Sequence, residues 1–197
     1  MKRALALAMG LSLALFVTAC GDGGKAAADA AINAAQTAFD AVTAEAAQYV
    51  PDQQKTVADA IAAAKDAFAK GNYQQALTDA QALTAKITGL KDAVTAKKTE
   101  LTNNWTALST GLPQVVTAIS DRMSILGKAK KLPAGLTQEA YDGAKAGFDT
   151  INQTWAAAQS AFSSGNLMDA VAKANSVKAE AAKVMTALGM QLPPALQ

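Results

Sequence analysis

Ala64-Lys65-Asp66-Ala67-Phe68-Ala69-Lys70-Gly71-Asn72-Tyr73-Gln74-Gln75-Ala76-Leu77-Thr78-Asp79-Ala80 is matched, 94 residues further on, by Ala158-Gln159-Ser160-Ala161-Phe162-Ser163-Ser164-Gly165-Asn166-Leu167-Met168-Asp169-Ala170-Val171-Ala172-Lys173-Ala174. Seven of the 17 aligned positions are identical. Alanine is abundant everywhere in this chain and accounts for four of the seven, but not for the shared Phe, Gly and Asn. Each copy reads as a helix, a two-residue stop, and a second helix. Glycine supplies the left-handed residue that ends the first helix, and Asn72 or Asn166 opens the next. Phe68 or Phe162, in the last turn of one helix, can cover the small face of Ala76 and Ala80, or of Ala170 and Ala174, on the other. The apolar phase persists outside the core of the repeat, pairing Val57 with Ile151, Ile61 with Trp155 and Leu83 with Val177. Two related helical hairpins therefore set the fold class: all-α.

Working outward, a first helix is expected over Lys25–Tyr49. Its stripe Ile32, Ala35, Phe39, Val42, Ala46, Tyr49 steps by three and four, as in a coiled-coil seam. Pro51 breaks it and suits the first turn of a second helix, over Asp52–Lys70. A third helix starts at Tyr73 with the stripe Leu77, Ala80, Leu83, Ile87, Leu90, Val94, Leu101, Trp105, Leu108. It is expected to stop near Thr110, because Gly111 and Pro113 follow. A fourth runs from Pro113 to Lys128 on Val116, Ile119, Met123 and Leu126. Thr137 is an N-cap candidate for a fifth, reaching Ser164 on Tyr141, Ala144, Phe148, Ile151, Trp155, Ala158 and Phe162. A sixth carries Leu167, Val171, Ala174, Val177, Ala181, Val184 and Leu188, and Gly189 with Pro193-Pro194 stops it. The expected architecture is an elongated antiparallel bundle of five to six helices. Phe39, Phe68, Phe148, Trp155 and Phe162 are assigned to its core, and Trp105 is left between core and contact patch.

The hairpin core is similar to the tetratricopeptide turn, on Phe68, Gly71, Asn72, Tyr73, Ala76 and Leu77. Those repeats recur every ~34 residues, whereas these recur every 94 and lack the closing proline, so no peptide-binding solenoid is expected.

The N-terminus carries a different kind of information. Lys2 and Arg3 precede the apolar stretch Ala4 to Val17, and Thr18 and Ala19 follow, which is the layout of a secretory signal. The stretch is short of the ~20 apolar residues of a spanning helix. Val17-Thr18-Ala19-Cys20 resembles the lipobox of bacterial lipoproteins. That resemblance implies cleavage before Cys20, a diacylglycerol thioether on its sulfur, and acylation (a palmitate, for example) of its new amino group. It also bears on sorting: in enteric bacteria an Asp after the cysteine retains the protein in the inner membrane. Gly21 stands there, so the resemblance favours the periplasmic face of the outer membrane. Gly21, Asp22, Gly23 and Gly24 read as a tether. The resulting division is a signal over 1–19, lipidated cysteine and tether over 20–24, one helical domain over 25–189, and a tail over 190–197. The stretch from Ala26 to Leu90 further resembles an alanine-rich helical domain family of envelope lipoproteins. The features that carry this are Ala30-Ala31-Ile32, Tyr49-Val50-Pro51 and Lys70-Gly71-Asn72-Tyr73.

Removing residues 1–19 of 197 leaves 178, enough for a real core. The chain has 18 Lys and Arg against 16 Asp and Glu. Lys2 and Arg3 account for the excess, so the mature body is neutral and no nucleic-acid partner is expected. There is no histidine, and Cys20 is the sole cysteine. The usual general base, the thiol nucleophile and most transition-metal ligands are thereby missing. No enzyme, cofactor or metal site is expected, and Cys20 is the one site residue. Asp52, Asp59 and Asp66, and again Asp142 and Asp149, recur at seven-residue spacing and read as solvated faces. Lys128, Lys130 and Lys131 form the one compact basic cluster, in a Gly/Pro loop. The function expected is that of a membrane-anchored adaptor or structural lipoprotein, with an envelope protein as partner and with seams that could face a second copy. The alternative is a helical module that binds a lipid or a small apolar ligand in the periplasm.

Overall fold

The computed structural model of the chain describes residues 23–196. Five α-helices take up most of them: α1 Gly23–Tyr49, α2 Pro51–Ala69, α3 Tyr73–Lys128, α4 Gln138–Ser163 and α5 Leu167–Ala187. A 3-10 turn at Pro194–Leu196 follows. No strand occurs among the described residues. The molecule is an all-α helical bundle, as expected of a chain rich in the strongest helix former.

The two Gly-Asn turns are the same structure. In the first, the N–H of Gly71 donates to the carbonyl of Phe68 at 3.0 Å and that of Asn72 to Ala67 at 2.9 Å. In the second, Gly165 donates to Phe162 at 3.0 Å and Asn166 to Ala161 at 2.9 Å. This is the Schellman stop, which satisfies carbonyls left over at a helix end. It needs a left-handed residue, and Gly71 and Gly165 have φ of 78° and 82°. The Asn166 side chain also accepts from the Asp169 N–H at 3.3 Å, capping α5. A third stop of the same kind ends α5, where Met190 donates to Met185 and Gly189 has φ of 67°. At the start of α4, the Thr137 hydroxyl accepts from the Ala140 N–H at 3.1 Å, as an N-cap does.

One boundary differs from the sequence reading. Gly111 and Pro113 do not end a helix: α3 runs 56 residues through both. A proline inside a helix forfeits one backbone bond, here to the Ser109 carbonyl, at a cost of ~3 kcal/mol. The ring faces solvent, and the flanking turns bury Leu112, Val115 and Ile119 almost completely. Burying such side chains contributes about 1.5–3 kcal/mol each, which outweighs the break. The described residues therefore form five α-helices. The apolar phase also shifts, because it carries through from Trp105 to Leu112, Val115, Ile119 and Leu126 rather than restarting on Val116 and Met123.

The described contacts group into two compact units. One comprises, of the described residues, 23–43 and Gln54–Thr88. Its core is Ile32, Ala35, Phe39 and Val42 from α1, Val57, Ile61 and Ala64 from α2, and Ala76, Ala80, Leu83 and Ile87 from α3. Lys65 Nζ crosses from α2 to Gln36 of α1 at 2.7 Å.

The other unit comprises Ala44–Gln53 and Gly89–Gln197. Within it, α4 and α5 form the second hairpin, whose seam is made of small residues. Ala144, Gly147, Ala158 and Ala161 on α4 are buried, as are Ala170, Ala174 and Ala181 on α5. A methyl group added at Gly147 would lie 2.6 Å from Cγ2 of Val184, so glycine sets how closely the helices approach. That closeness leaves no room for large rings in the seam. Phe148, Trp155 and Phe162, assigned to the core from sequence, are only half-buried, and so is Phe68 in the first hairpin. Phe39 alone of the five is fully buried. Trp105 of α3 is buried as well. Its ring stacks on Trp155 at 5.5 Å and on Phe162 at 4.6 Å, nearly parallel to both. Trp155 and Phe162 are two helical turns apart, ~10.5 Å along α4, which is the gap one indole fills.

Candidate functional site

Cys20 lies outside the described residues. What is described begins close to it: α1 starts at Gly23, so Gly23 and Gly24, expected in the tether, are helical. Two residues, Gly21 and Asp22, separate Cys20 from the first helical residue, a reach of ~10 Å at most. The start of α1 stands beside the first Gly-Asn turn. A Cβ on Gly24 would touch Cβ of Tyr73 at 3.9 Å. The Lys25 ammonium sits 5.9 Å from the centre of the Tyr73 ring, and the Phe68 ring meets that ring edge-on at 5.1 Å.

The carboxylate stripes are exposed and are not drawn together. Asp59 pairs with Lys55 at 2.7 Å and Asp66 with Lys70 at 2.7 Å, both one turn apart on α2. Asp142 accepts from Gln138 at 3.1 Å, and Asp52 and Asp149 are exposed. Exposed pairs of this kind contribute at most about 1 kcal/mol. Among the described residues no group of three or more His, Cys, Asp or Glu could hold a metal ion.

Lys128, the last residue of α3, and Lys130 and Lys131 of the α3–α4 loop are all exposed. Lys130 and Lys131 border an open cleft of about 880 Å³ with Leu132, Pro133, Leu136 and Tyr141, and no carboxylate lines it. The Tyr141 hydroxyl donates to the Met123 carbonyl at 3.3 Å and fixes this end of α4 against α3. The corner between α1 and α2 makes its own polar contacts within the second unit. Lys98 donates to Glu45 at 3.0 Å and lies 5.8 Å from the Tyr49 ring centre. The Tyr49 hydroxyl reaches the Gly165 carbonyl at 3.5 Å. The hydrogen bond from Lys98 to Glu45, and then the charge of Glu45, hold the Lys98 ammonium above its ordinary pKa.

One site was missed by sequence reasoning. Arg122 of α3 lines a cleft of about 570 Å³ with Val115, Ala118, Met185, Met190 and Pro193, and is the only charged residue in its wall among the described residues. Its Nη2 reaches the Leu188 carbonyl at 3.5 Å, at the negative end of α5, where a cation is favoured. Its Nε is buried with no hydrogen-bond partner among the described residues. Leaving a buried donor unpaired costs about 1–3 kcal/mol. The signal was present in the sequence: Leu101, Trp105, Leu108, Leu112, Val115, Ile119, Arg122 and Leu126 step alternately by four and three. Arg122 holds a seam position, hidden when the phase is restarted at Pro113.

Comparison with protein-family models, with curated proteins and with solved structures found no match. No helix among the described residues is long and apolar enough to cross a membrane.

Proposed function

We propose that this chain is a lipid-anchored lipoprotein of the bacterial cell envelope, whose helical body holds a protein partner and performs no catalysis of its own. The observation that carries it is Val17-Thr18-Ala19-Cys20 at the end of a charged and apolar leader, with only Gly21 and Asp22 between Cys20 and α1. Lipid on Cys20 would then keep the first helix at the bilayer surface, because a chain of that length cannot reach further. Gly21 favours the outer membrane, facing the periplasm, and a second copy of the chain is a further candidate partner.

Cys20→Ser tests the anchor. The variant should leave the membrane fraction and lose the incorporation of labelled palmitate. A variant that stays bound and unprocessed would overturn the anchor. Crosslinking in envelope fractions tests the adaptor role, with the expectation of one reproducible partner that is absent when the chain is absent. Light scattering that gives a monomer, together with no enriched partner, would remove that role while leaving the anchor standing.

A further inference from the structure

The cleft at Arg122 combines features that a bundle seam does not need. A seam position repeats an apolar residue, and here it carries a guanidinium. That group has five N–H donors in a planar fork, and the one acceptor it meets among the described residues is a carbonyl at the long distance of 3.5 Å. Buried donors without partners in a native protein call for an ion, a water or a ligand to complete them. The wall around the guanidinium is mainly apolar, with Val115, Met185, Met190 and Pro193, and carries two neutral amides, Gln114 and Gln191. Methionine is the side chain that adapts most readily to an apolar guest. Among the described residues no carboxylate lines the cleft to neutralise the cation. Its size, about 570 Å³, falls within the range of small-molecule sites, ~300–1,000 Å³.

An apolar trough with one unspent cationic fork is complementary to a single apolar chain that ends in one anionic, two-oxygen head. We propose that this cleft binds a fatty carboxylate. The head takes the Arg122 guanidinium side-on through two parallel N–H···O bonds, and the chain lies along Val115, Met185, Met190 and Pro193. The site does not depend on how the chain is anchored, since the groups that form it belong to α3, the end of α5 and the residues that follow.

The test uses the full chain carrying Cys20→Ser, which has no lipid of its own. It is titrated with laurate, dodecanol and dodecyltrimethylammonium below their micelle concentrations. Binding is followed by calorimetry and by the methyl signals of Met185 and Met190. Laurate should bind one to one, shift both methyl signals, and bind at least about tenfold more tightly than either of the others, as expected for hydrogen bonds between charged groups. Arg122→Gln should reduce laurate to the affinity of dodecanol and leave dodecanol unchanged. Ala118→Phe, which narrows the cleft and keeps the cation, should abolish binding of both. Equal affinity for laurate and dodecanol would overturn the proposal, as would laurate binding that survives Arg122→Gln or leaves the methyl signals unmoved. If Arg122→Gln does not fold, Ala118→Phe decides, and laurate binding equal to that of the parent chain overturns the site. So does a cleft already filled by the chain's own residues 1–22, seen as contacts from the two methyl groups to that segment with no uptake of laurate.

Discussion

At Gly147, one hydrogen in place of a methyl group decides how α4 meets α5. Alanine in mid-helix ordinarily improves on glycine by ~0.5–1 kcal/mol. At Gly147 the added carbon would stand 2.6 Å from Val184 Cγ2 and 3.1 Å from Glu180 Oε1, and overpacking costs ~1–3 kcal/mol. The overlap outweighs the propensity, so Gly147→Ala should destabilise by ~1–2 kcal/mol. Gly143, one turn earlier on α4, has nothing within 4 Å of its would-be Cβ. Gly143→Ala should therefore stabilise by ~0.5–1 kcal/mol, and urea denaturation of the pair reads the opposite signs directly. A second residue-scale effect belongs to Lys98. Glu45 raises its pKa in the folded state, so the folded chain binds the proton more tightly than the unfolded one. The resulting stability is fully present below the ordinary value of 10.5 and is lost as the pH rises through the raised value. The difference in urea midpoint between the parent chain and Glu45→Gln should hold steady from neutral pH up to 10.5 and close as the pH rises beyond it. Gly147 was not legible in the sequence, because nothing local distinguishes it from Gly143. Only Val184, 37 positions away in the chain, makes the difference.

At the scale of elements, the turns of the repeated hairpin were legible, the burial of its Phe68 and Phe162 was not, and neither was the length of α3. The Gly-Asn turns follow from local rules: a left-handed glycine and two backbone bonds, joined in the second turn by the Asn166 cap, all within about six residues. The seams of α1 and α5 were legible for the same reason, since a period of three and four needs no partner to be seen. In α3 the same period runs on through Pro113, but two local stop signals conceal it. Gly111 and Pro113 are local stop signals, overruled by the burial of Leu112, Val115 and Ile119 on the opposite side of the helix. Proline at an exposed interior position still carries its cost. Pro113→Ala should raise stability by about 1–3 kcal/mol, measured as a higher melting temperature with unchanged helicity. A loop at this place would instead lose a rigid residue and melt no higher. Continuity through Pro113 is also what puts Arg122 in register with Trp105 and Ile119, so reading a break there conceals the one charged seam position.

For the molecule as a whole, the decisive quantities are charge and anchor. If the proposed cleavage before Cys20 removes Lys2 and Arg3, positive and negative residues balance at 16 each. A neutral body has little long-range attraction to an anionic bilayer, whereas two or more acyl chains hold a protein stably without help. A Cys20→Ser chain lacking residues 1–19 should therefore pellet only weakly with anionic vesicles. What binding remains should come from Lys128, Lys130 and Lys131, and should disappear at high salt, measured by co-sedimentation. Retention that resists salt would point to a second anchor. The sequence by itself determined the helical class, the two hairpins with their glycine stops, the balance of charge, and the candidate anchor at Cys20. Each of these is written in residues that are neighbours in the chain or recur at one period. The tertiary structure alone decided that α3 passes through its proline, that Trp105 rather than Trp155 or Phe162 is the buried ring of the stack, and that Arg122 looks into an apolar cleft. Those outcomes rest on which side chains meet across distant segments, and the free energy of burial there is larger than the local preferences it overrides.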